Sequence, residues 1–266
     1  MNQRSAKIAM STTLSKYLVI LAVTGLCASS AYAVRPELNR DTLMEGRRIY
    51  EKACAWCHGS EGMGNGPSGW FIGRYDAPRP RDFTKEGYKL RSTASGELPT
   101  DQDLFRTLTQ GIPGVMPAYR SLNESERWQV IDYIKSLNPA FEQEKPAPIP
   151  LPPPPLSPSE GAVQHGRTLY EKYDCQVCHG ENGDGHGPEG RAGRLHDTNN
   201  LPIRATNLTD PTSFKNGGTA QDLYRSIMTG LDGTPMPSYA NEFTGQEEAV
   251  WDLIWYLQSL SGRLEK

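Results

Sequence analysis

The sequence predicts an all-α protein built from two tandem copies of one helical domain. Its 266 residues fit two domains of ordinary size. Helix-capping signals and glycine stops recur at matching places in the two halves. No segment alternates polar and apolar residues for long enough to predict a sheet. We therefore expect a single helical module, present twice.

The duplication is visible as matched segments that follow the same order in both halves. Each half has a Gly-Arg-x-x-Tyr-Glu-Lys segment, a Cys-x-x-Cys-His motif, a glycine-rich stretch and a C-terminal segment that begins with Trp. The matched pairs are residues 46–52 with 166–172, 54–58 with 175–179, 62–67 with 183–188, 103–106 with 222–225, and 128–137 with 251–260.

The same three helices are predicted in each copy. The first leads into the Cys-x-x-Cys-His motif, the second begins at a Thr-x-x-Asp capping signal and ends at a glycine, and the third closes the copy. The glycine-rich stretch after each motif lacks periodicity and predicts a loop. In the first copy the helices are 41–53, Thr100-x-x-Asp103 to Gly111, and Asn123-x-x-Glu126 to about Leu137; in the second they are 161–173, Thr219-x-x-Asp222 to Gly230, and Thr244-x-x-Glu247 to about Leu260.

A proline-rich segment separates the copies. Residues 146–159 contain no charged side chain and include four consecutive prolines. Such a segment favours polyproline II and acts as a semi-rigid spacer. The predicted organisation is an N-terminal signal over 1–33, a first domain over 34–145, this linker, and a second domain over 160–266.

Each copy contains one Cys-x-x-Cys-His motif, the pattern for covalent attachment of a c-type haem. The two thiols form thioethers with one macrocycle, and the His that follows is placed to ligate its iron. A zinc half-site or a thioredoxin-like pair is the alternative, but neither accounts for a His directly after both motifs. We expect two haem c groups. The residues are Cys54, Cys57 and His58 in the first copy, and Cys175, Cys178 and His179 in the second.

The repeat also selects a second axial ligand for each iron. Ligands should recur at equivalent places, and among the methionines after residue 33 only Met116 and Met236 face one another. Both precede a proline, which forbids continued helix and favours an extended loop. A His/Met pair is typical of electron carriers and raises the reduction potential. The other methionines, Met44, Met63 and Met228, are interpreted as core filler.

The first 33 residues have the features of an export signal. Three basic residues precede a short apolar stretch at 17–28, and Ala31-Tyr32-Ala33 supplies a small-x-small cleavage site before Val34. Export fits c-type haem attachment, which bacteria usually complete outside the cytoplasm. We expect a periplasmic protein. Membrane attachment through an uncleaved signal segment is the alternative.

Several other residues are weighed against ordinary structural roles. Arg79 and Arg204 lie between each motif and its methionine, and they are candidates for pairing with haem propionates; a solvated arginine is the alternative. Trp128 and Trp251 are expected in the core. Three histidines are interpreted as surface or loop residues without a ligand role: His165, His186 and His196.

Charge is distributed unevenly between the copies. Residues 34–145 carry 16 basic and 16 acidic side chains, whereas residues 160–266 carry 9 basic and 15 acidic ones. This balance argues against a nucleic-acid partner. The acidic second copy could steer a basic protein partner, and an ordinary solvated surface is the alternative.

Each half resembles a class I c-type cytochrome, in which an N-terminal helix ends in Cys-x-x-Cys-His and a Pro-rich loop, a Met ligand and a C-terminal helix follow. The resemblance covers about residues 40–138 and 160–262, and the whole is similar to a periplasmic di-haem cytochrome c. It implies that the first and last helices of each domain cross. Gly46 and Gly166 would be the small residues at these crossings, against the regions of Tyr133 and Tyr256.

The ligand set and the resemblance imply an electron-transfer protein, not an enzyme, acting between periplasmic redox proteins. A cytochrome subunit of a larger oxidoreductase complex is the alternative. A di-haem redox enzyme is less favoured, because both irons have a matched Met and no spare Cys remains after residue 33. Residues 81–84 and 91–93 are also similar to cytochromes that accompany larger respiratory oxidoreductases, including molybdopterin enzymes, which suggests partners of that class.

Overall fold

The computed structural model of the protein describes residues 35–71, 79–85, 87–155 and 157–264. Within these ranges the chain folds into helices and loops, and no strand is present. The all-α prediction is confirmed. None of the helices described there is both long and apolar enough to cross a membrane. The predicted signal segment over 1–33 and its cleavage site lie outside the described residues.

The described helices follow the repeat, with two long outer helices and a middle helix in each half. The first half contains α1 (Arg40–Ala53), α2 (Ala55–His58), α3 (Asp101–Gln110), α4 (Glu124–Ser136) and α5 (Ala140–Gln143). The second half contains α6 (Glu160–Lys172), α7 (Cys175–His179), α8 (Pro188–Arg191), α9 (Ala220–Thr229) and α10 (Ala249–Leu260). Helix α1 packs against α4, and α6 packs against α10.

The predicted capping signals start α3, α4 and α9. At α3 the Thr100 hydroxyl accepts a hydrogen bond from the Asp103 main-chain N–H at 3.1 Å, and the Asp103 carboxylate accepts one from the Thr100 N–H at 3.0 Å. This reciprocal pair satisfies two N–H groups that a helix start leaves without partners. The same pairs occur at α4 and α9.

The predicted start of the last helix is wrong. Helix α10 begins at Ala249 instead of directly after Thr244. Gly245 has a φ of +76°, so the chain turns there and cannot be helical. The Glu247 carboxylate accepts a hydrogen bond from the Gly245 N–H at 3.0 Å, and the Thr244 hydroxyl donates to the Ala240 carbonyl at 3.1 Å. These local bonds form a turn in place of the expected cap.

Each half has its own hydrophobic core, built around its C-terminal helix. Trp128 and Trp251 are buried in these cores, as predicted. Met228 also belongs to the second core. By contrast, Met44 and Met63 are 59% and 52% exposed. The interpretation of the remaining methionines as core filler is therefore correct for Met228 and wrong for the other two.

The proline-rich linker packs against both halves. The Ile149 N–H donates a hydrogen bond to the Ser92 carbonyl of the first half at 2.7 Å. The side chains of Ile149 and Leu151 pack against the core of the second half. The segment therefore contributes apolar contacts in addition to connecting the domains. The boundaries at 145/146 and 159/160 stay predictions.

Candidate functional site

The motif of the first half lines an apolar cavity. The cavity is open to solvent, and the empty space in it and in its mouth together measures about 1310 Å³. Cys54, Cys57, His58 and Met116 all line it. The structure thus brings together the four residues that the sequence analysis assigned to the first haem, although Met116 lies far along the chain from the motif.

A similar cavity of about 760 Å³ lies in the second half. Cys175, His179 and Met236 line it. Cys178 lies on the same short helix α7 and is partly buried, outside the lining residues. Both cavities are lined mainly by apolar surface, as a large apolar ligand requires.

The helix before each motif fixes the position of the histidine through a buried tyrosine. The Tyr50 hydroxyl donates to the Gly59 carbonyl at 2.7 Å, and the Tyr170 hydroxyl donates to the Gly180 carbonyl at 2.7 Å. Gly59 and Gly180 directly follow the histidines and have φ values of +81° and +84°. A residue with a side chain rarely adopts this conformation, so glycine is favoured at both positions.

Both histidines are oriented by main-chain carbonyls. Nδ1 of His58 lies 3.0 Å from the Arg81 carbonyl oxygen, and Nδ1 of His179 lies 2.9 Å from the Thr206 carbonyl oxygen. A carbonyl only accepts, so Nδ1 carries the proton and Nε2 keeps its lone pair for a metal. Burial lowers the pKa of both imidazoles. The Phe83 ring stacks on His58 at 4.4 Å between centroids.

The loop that carries Met116 is closed by its own hydrogen bonds. The Ile112 N–H donates to the Met116 carbonyl at 2.8 Å, and the Met116 N–H donates to the Ile112 carbonyl at 2.9 Å. Tyr119 then ties the loop to the first helix, since its hydroxyl donates to the Ala53 carbonyl at 2.8 Å. This carbonyl belongs to the last residue of α1, directly before the motif.

The loop that carries Met236 is held in a related way. The Leu231 N–H donates to the Met236 carbonyl at 3.1 Å. The Tyr239 hydroxyl donates to the Tyr173 carbonyl near the end of α6 at 3.4 Å. In both halves a tyrosine three residues after the methionine links the methionine loop to the helix that precedes the cysteines.

The cysteines do not have the properties of a redox dithiol. Burial raises the pKa of the Cys54 and Cys175 thiols to about 12. Burial also raises the pKa of Cys57 and Cys178. Thioredoxin-like pairs need a lowered thiol pKa, because the thiolate is the reactive form. This environment argues against the thioredoxin-like alternative.

Known families match both halves. The family model described as cytochrome c oxidase, cbb3-type, subunit III matches residues 41–134, and the model described as cytochrome c matches residues 163–261. The chain belongs to the cytochrome c family. As a tandem di-haem cytochrome c, it carries two covalently bound haem c groups and serves in electron transfer. Domains of this kind typically lie outside the cytoplasm.

Two relatives extend the match over most of this cytochrome. It is 26% identical over 251 residues to the cbb3-type cytochrome c oxidase subunit CcoP of Azospirillum brasilense, covering 93% of this chain and 70% of that protein. It is 39% identical to a chain in the structure of the Kuenenia stuttgartiensis reducing HAO-like protein complex. That match has a TM-score of 0.75 and covers 84% of this chain and 97% of the other.

Basic side chains at the first cavity fit the carboxylates of a haem. Arg79, Arg81, Lys89 and Lys215 line it. Burial, together with the charges of Arg81 and Lys215, lowers the pKa of Lys89 to about 8. These cations are partly buried, and haem propionates would supply two carboxylates to them. Lys215 comes from the second half and also lines the second cavity.

The two arginines proposed for propionate pairing have different positions. Arg79 lines the first cavity, where its guanidinium lies 3.1 Å from the centre of the Trp70 ring. Arg204 is exposed and lies outside the lining of both cavities. The positions of Arg81, Lys89 and Lys215 at the first cavity were not predicted from the sequence. The concentration of basic residues at 79–91 was an available signal for the first two.

None of the three histidines outside the motifs lines either cavity. His165 is exposed, and its Nδ1 lies 2.7 Å from the Asp252 carboxylate. His186 is also exposed, and His196 is partly buried in a loop. Their interpretation as surface or loop residues agrees with these positions.

Proposed function

We propose that this cytochrome passes single electrons between redox proteins through two haems that each have one His and one Met axial ligand. The ligands would be His58 and Met116 in the first half, and His179 and Met236 in the second. The observation that carries the proposal is that both members of each pair line one cavity. Thioether attachment would use Cys54 and Cys57 in the first half; in the second it would use Cys175 and Cys178.

The proposed roles of the side chains follow from their surroundings. Haem c supplies the iron that gains and loses one electron. The carbonyls of Arg81 and Thr206 hold the proton on Nδ1 of each histidine, which keeps Nε2 available. A thioether on the opposite face favours the reduced state. Because two protein ligands would fill the axial positions, no position remains for a substrate, and we propose a carrier without catalytic activity.

Two readouts test the axial ligands. A ferric haem with a Met ligand has a Met-to-iron charge-transfer band, which we expect from both haems in a spectroelectrochemical titration. Met116→Ala and Met236→Ala should each remove about half of the band and lower one midpoint potential. The control is Met63→Ala, because Met63 is exposed and should change neither. A full band in either ligand variant would overturn the assignment for that haem.

A second candidate is a subunit that stays docked in a larger oxidoreductase complex. The relatives favour it, since one is named as an oxidase subunit and the other is part of an HAO-like complex. Respiratory oxidoreductases, including molybdopterin enzymes, are the proposed partner class. Purification of the native protein at low salt distinguishes the two candidates. A stoichiometric partner supports the docked subunit, and a monomeric cytochrome supports the mobile carrier.

We also propose that residues 1–33 direct export to the periplasm and are then cleaved from the protein. Cell fractionation followed by N-terminal sequencing tests this directly. The expected mature N-terminus is Val34. An intact N-terminus in the membrane fraction would instead support retention of the segment as an anchor.

A further inference from the structure

We infer that Arg91 of the first half is a positioning residue for Met236 of the second half and acts through Asp232. The inference rests on the proposed role of Met236 as an axial ligand. It adds a dependence between the two halves: the first domain would hold the methionine loop of the second. The loop in question, residues 230–236, is called the Met236 loop below.

Both carboxylate oxygens of Asp232 are bound by the first half. Oδ1 accepts hydrogen bonds from the Arg91 guanidinium at 2.8 Å and from the Ser95 hydroxyl at 2.8 Å. Oδ2 accepts one from the Gly96 N–H at 2.9 Å. The Asp232 side chain is 15% exposed, so these donors replace most of the water that a free carboxylate would bind.

Arg91 is held rigidly from its own side. Its side chain is fully buried. Nε donates to the Ala94 carbonyl at 3.0 Å, and Nη1 donates to the Tyr88 carbonyl at 3.0 Å. Nη2 donates to the Thr229 carbonyl of the second half at 2.8 Å as well as to Asp232. The guanidinium therefore contacts both the end of α9 and the loop that follows it.

The Met236 loop is short enough for a shift of Asp232 to reach Met236. Leu231 and Met236 are joined by the hydrogen bond that closes the loop. Thr234 lies between them, and its N–H donates to the Leu231 carbonyl at 3.0 Å. The Met236 N–H donates to the Thr234 hydroxyl at 3.3 Å. Asp232 belongs to the loop that these hydrogen bonds close, and the first half binds its side chain.

The arrangement has no equivalent in the first methionine loop. Pro113 follows Ile112 there as Asp232 follows Leu231, and a proline has no carboxylate to accept such bonds. That loop closes instead with two hydrogen bonds between Ile112 and Met116. Loss of the Arg91–Asp232 pair should therefore affect the second haem and leave the first unchanged.

The test uses imidazole, which replaces an axial methionine at a rate limited by methionine dissociation. In a Met116→Ala background the remaining charge-transfer band reports Met236 alone. There, Arg91→Met should speed the loss of the band in imidazole by about tenfold or more, because the loop loses its buried partner. Asp232→Asn should act in the same direction. In a Met236→Ala background, Arg91→Met should leave the rate at Met116 unchanged.

Arg106→Met is the matched control. Arg106 also joins the halves, since it donates to Asp222 at 2.9 Å and to Asn216 at 2.9 Å, and both of these partners lie outside the Met236 loop. It should leave the rate at Met236 within about twofold of its starting value, well below the change expected for Arg91→Met. An equal increase of this rate in Arg106→Met would overturn the inference, because the loss of any contact between the halves would then be enough to release Met236.

Further outcomes separate this inference from the proposed ligand. If imidazole replaces Met236 at an unchanged rate in both Asp232→Asn and Arg91→Met, the inference alone is overturned, provided that Met236→Ala removes about half of the charge-transfer band. If Met236→Ala keeps the full charge-transfer band, the ligand assignment fails and the inference fails with it. If Arg91→Met does not accumulate as folded holoprotein, Asp232→Asn decides the question, because Asn keeps the shape of the side chain.

Discussion

Gly46 on α1 lies directly against the main chain of Gln129 on α4. A Cβ atom on Gly46 would lie 2.0 Å from the Gln129 carbonyl oxygen, closer than any real contact of that kind. Gly166 on α6 has the same relation to Asp252 on α10, also at 2.0 Å. The helix crossing implied by the family resemblance is confirmed, and in both halves only glycine permits it.

The first prediction concerns this crossing. Gly166→Ala should destabilise the protein by roughly 1–3 kcal/mol, because the added methyl group must push α6 and α10 apart. Gly161→Ala on the same helix is the control. A Cβ there meets only the Ser159 hydroxyl, at 3.9 Å, and alanine should stabilise the helix by about 0.5–1 kcal/mol. Urea unfolding of both holoproteins measures the difference, and similar effects would contradict the close-packing argument.

The second prediction concerns the basic residues at the cavities. A nearby cation favours the reduced haem, so Lys89→Met should lower the potential of the first haem by on the order of tens of millivolts. Lys215→Met should lower both potentials, because Lys215 lines both cavities. Lys85→Met is the control, since its side chain is 76% exposed. A redox titration that shows one shifted haem in Lys215→Met would refute the shared role.

The third prediction concerns a buried carboxylate in the first half. One oxygen of Asp103 accepts four hydrogen bonds, from the N–H and hydroxyl groups of Ser92 and Thr100, at 2.8–3.0 Å. A neutral amide oxygen accepts hydrogen bonds more weakly than an ionised carboxylate, so Asp103→Asn should cost about 1–3 kcal/mol of unfolding free energy. Asp41→Asn changes an exposed residue in the first turn of α1 and should cost much less. Equal losses in urea unfolding would argue against the network.

The fourth prediction concerns acid stability. Burial would raise the pKa of Asp101, but hydrogen bonds from Lys135 and Arg35 outweigh it and hold the pKa below its ordinary value. Because the folded pKa is below the unfolded value, the stabilisation is complete above about pH 5 and is lost as pH falls through the folded pKa. The stability difference between wild type and Asp101→Asn should therefore be constant at higher pH and shrink below about pH 4. If the stability difference does not change with pH, the ionised Asp101 carboxylate is not its source.

The sequence could specify those features that depend on local spacing. The Cys-x-x-Cys-His motif lies within five consecutive residues, so its chemistry is visible without a fold. The Thr100–Asp103 cap is equally local and is present in the structure. Comparison of the two copies extended this reach, since it selected Met116 and Met236, which lie far from their histidines along the chain but line the same cavities.

Only the tertiary structure decided what the two copies do to each other. Arg91 and Asp232 are 141 residues apart, and no periodicity or spacing pairs residues at that separation. Lys215 lines a cavity of the other copy for the same reason. Local patterns can also mislead: the capping pattern at Thr244 forms a turn instead of a helix start, because Gly245 has a positive φ. The sequence alone determined the cofactor chemistry, because covalent attachment is local; packing determined the contacts between the domains, because they depend on how distant surfaces meet.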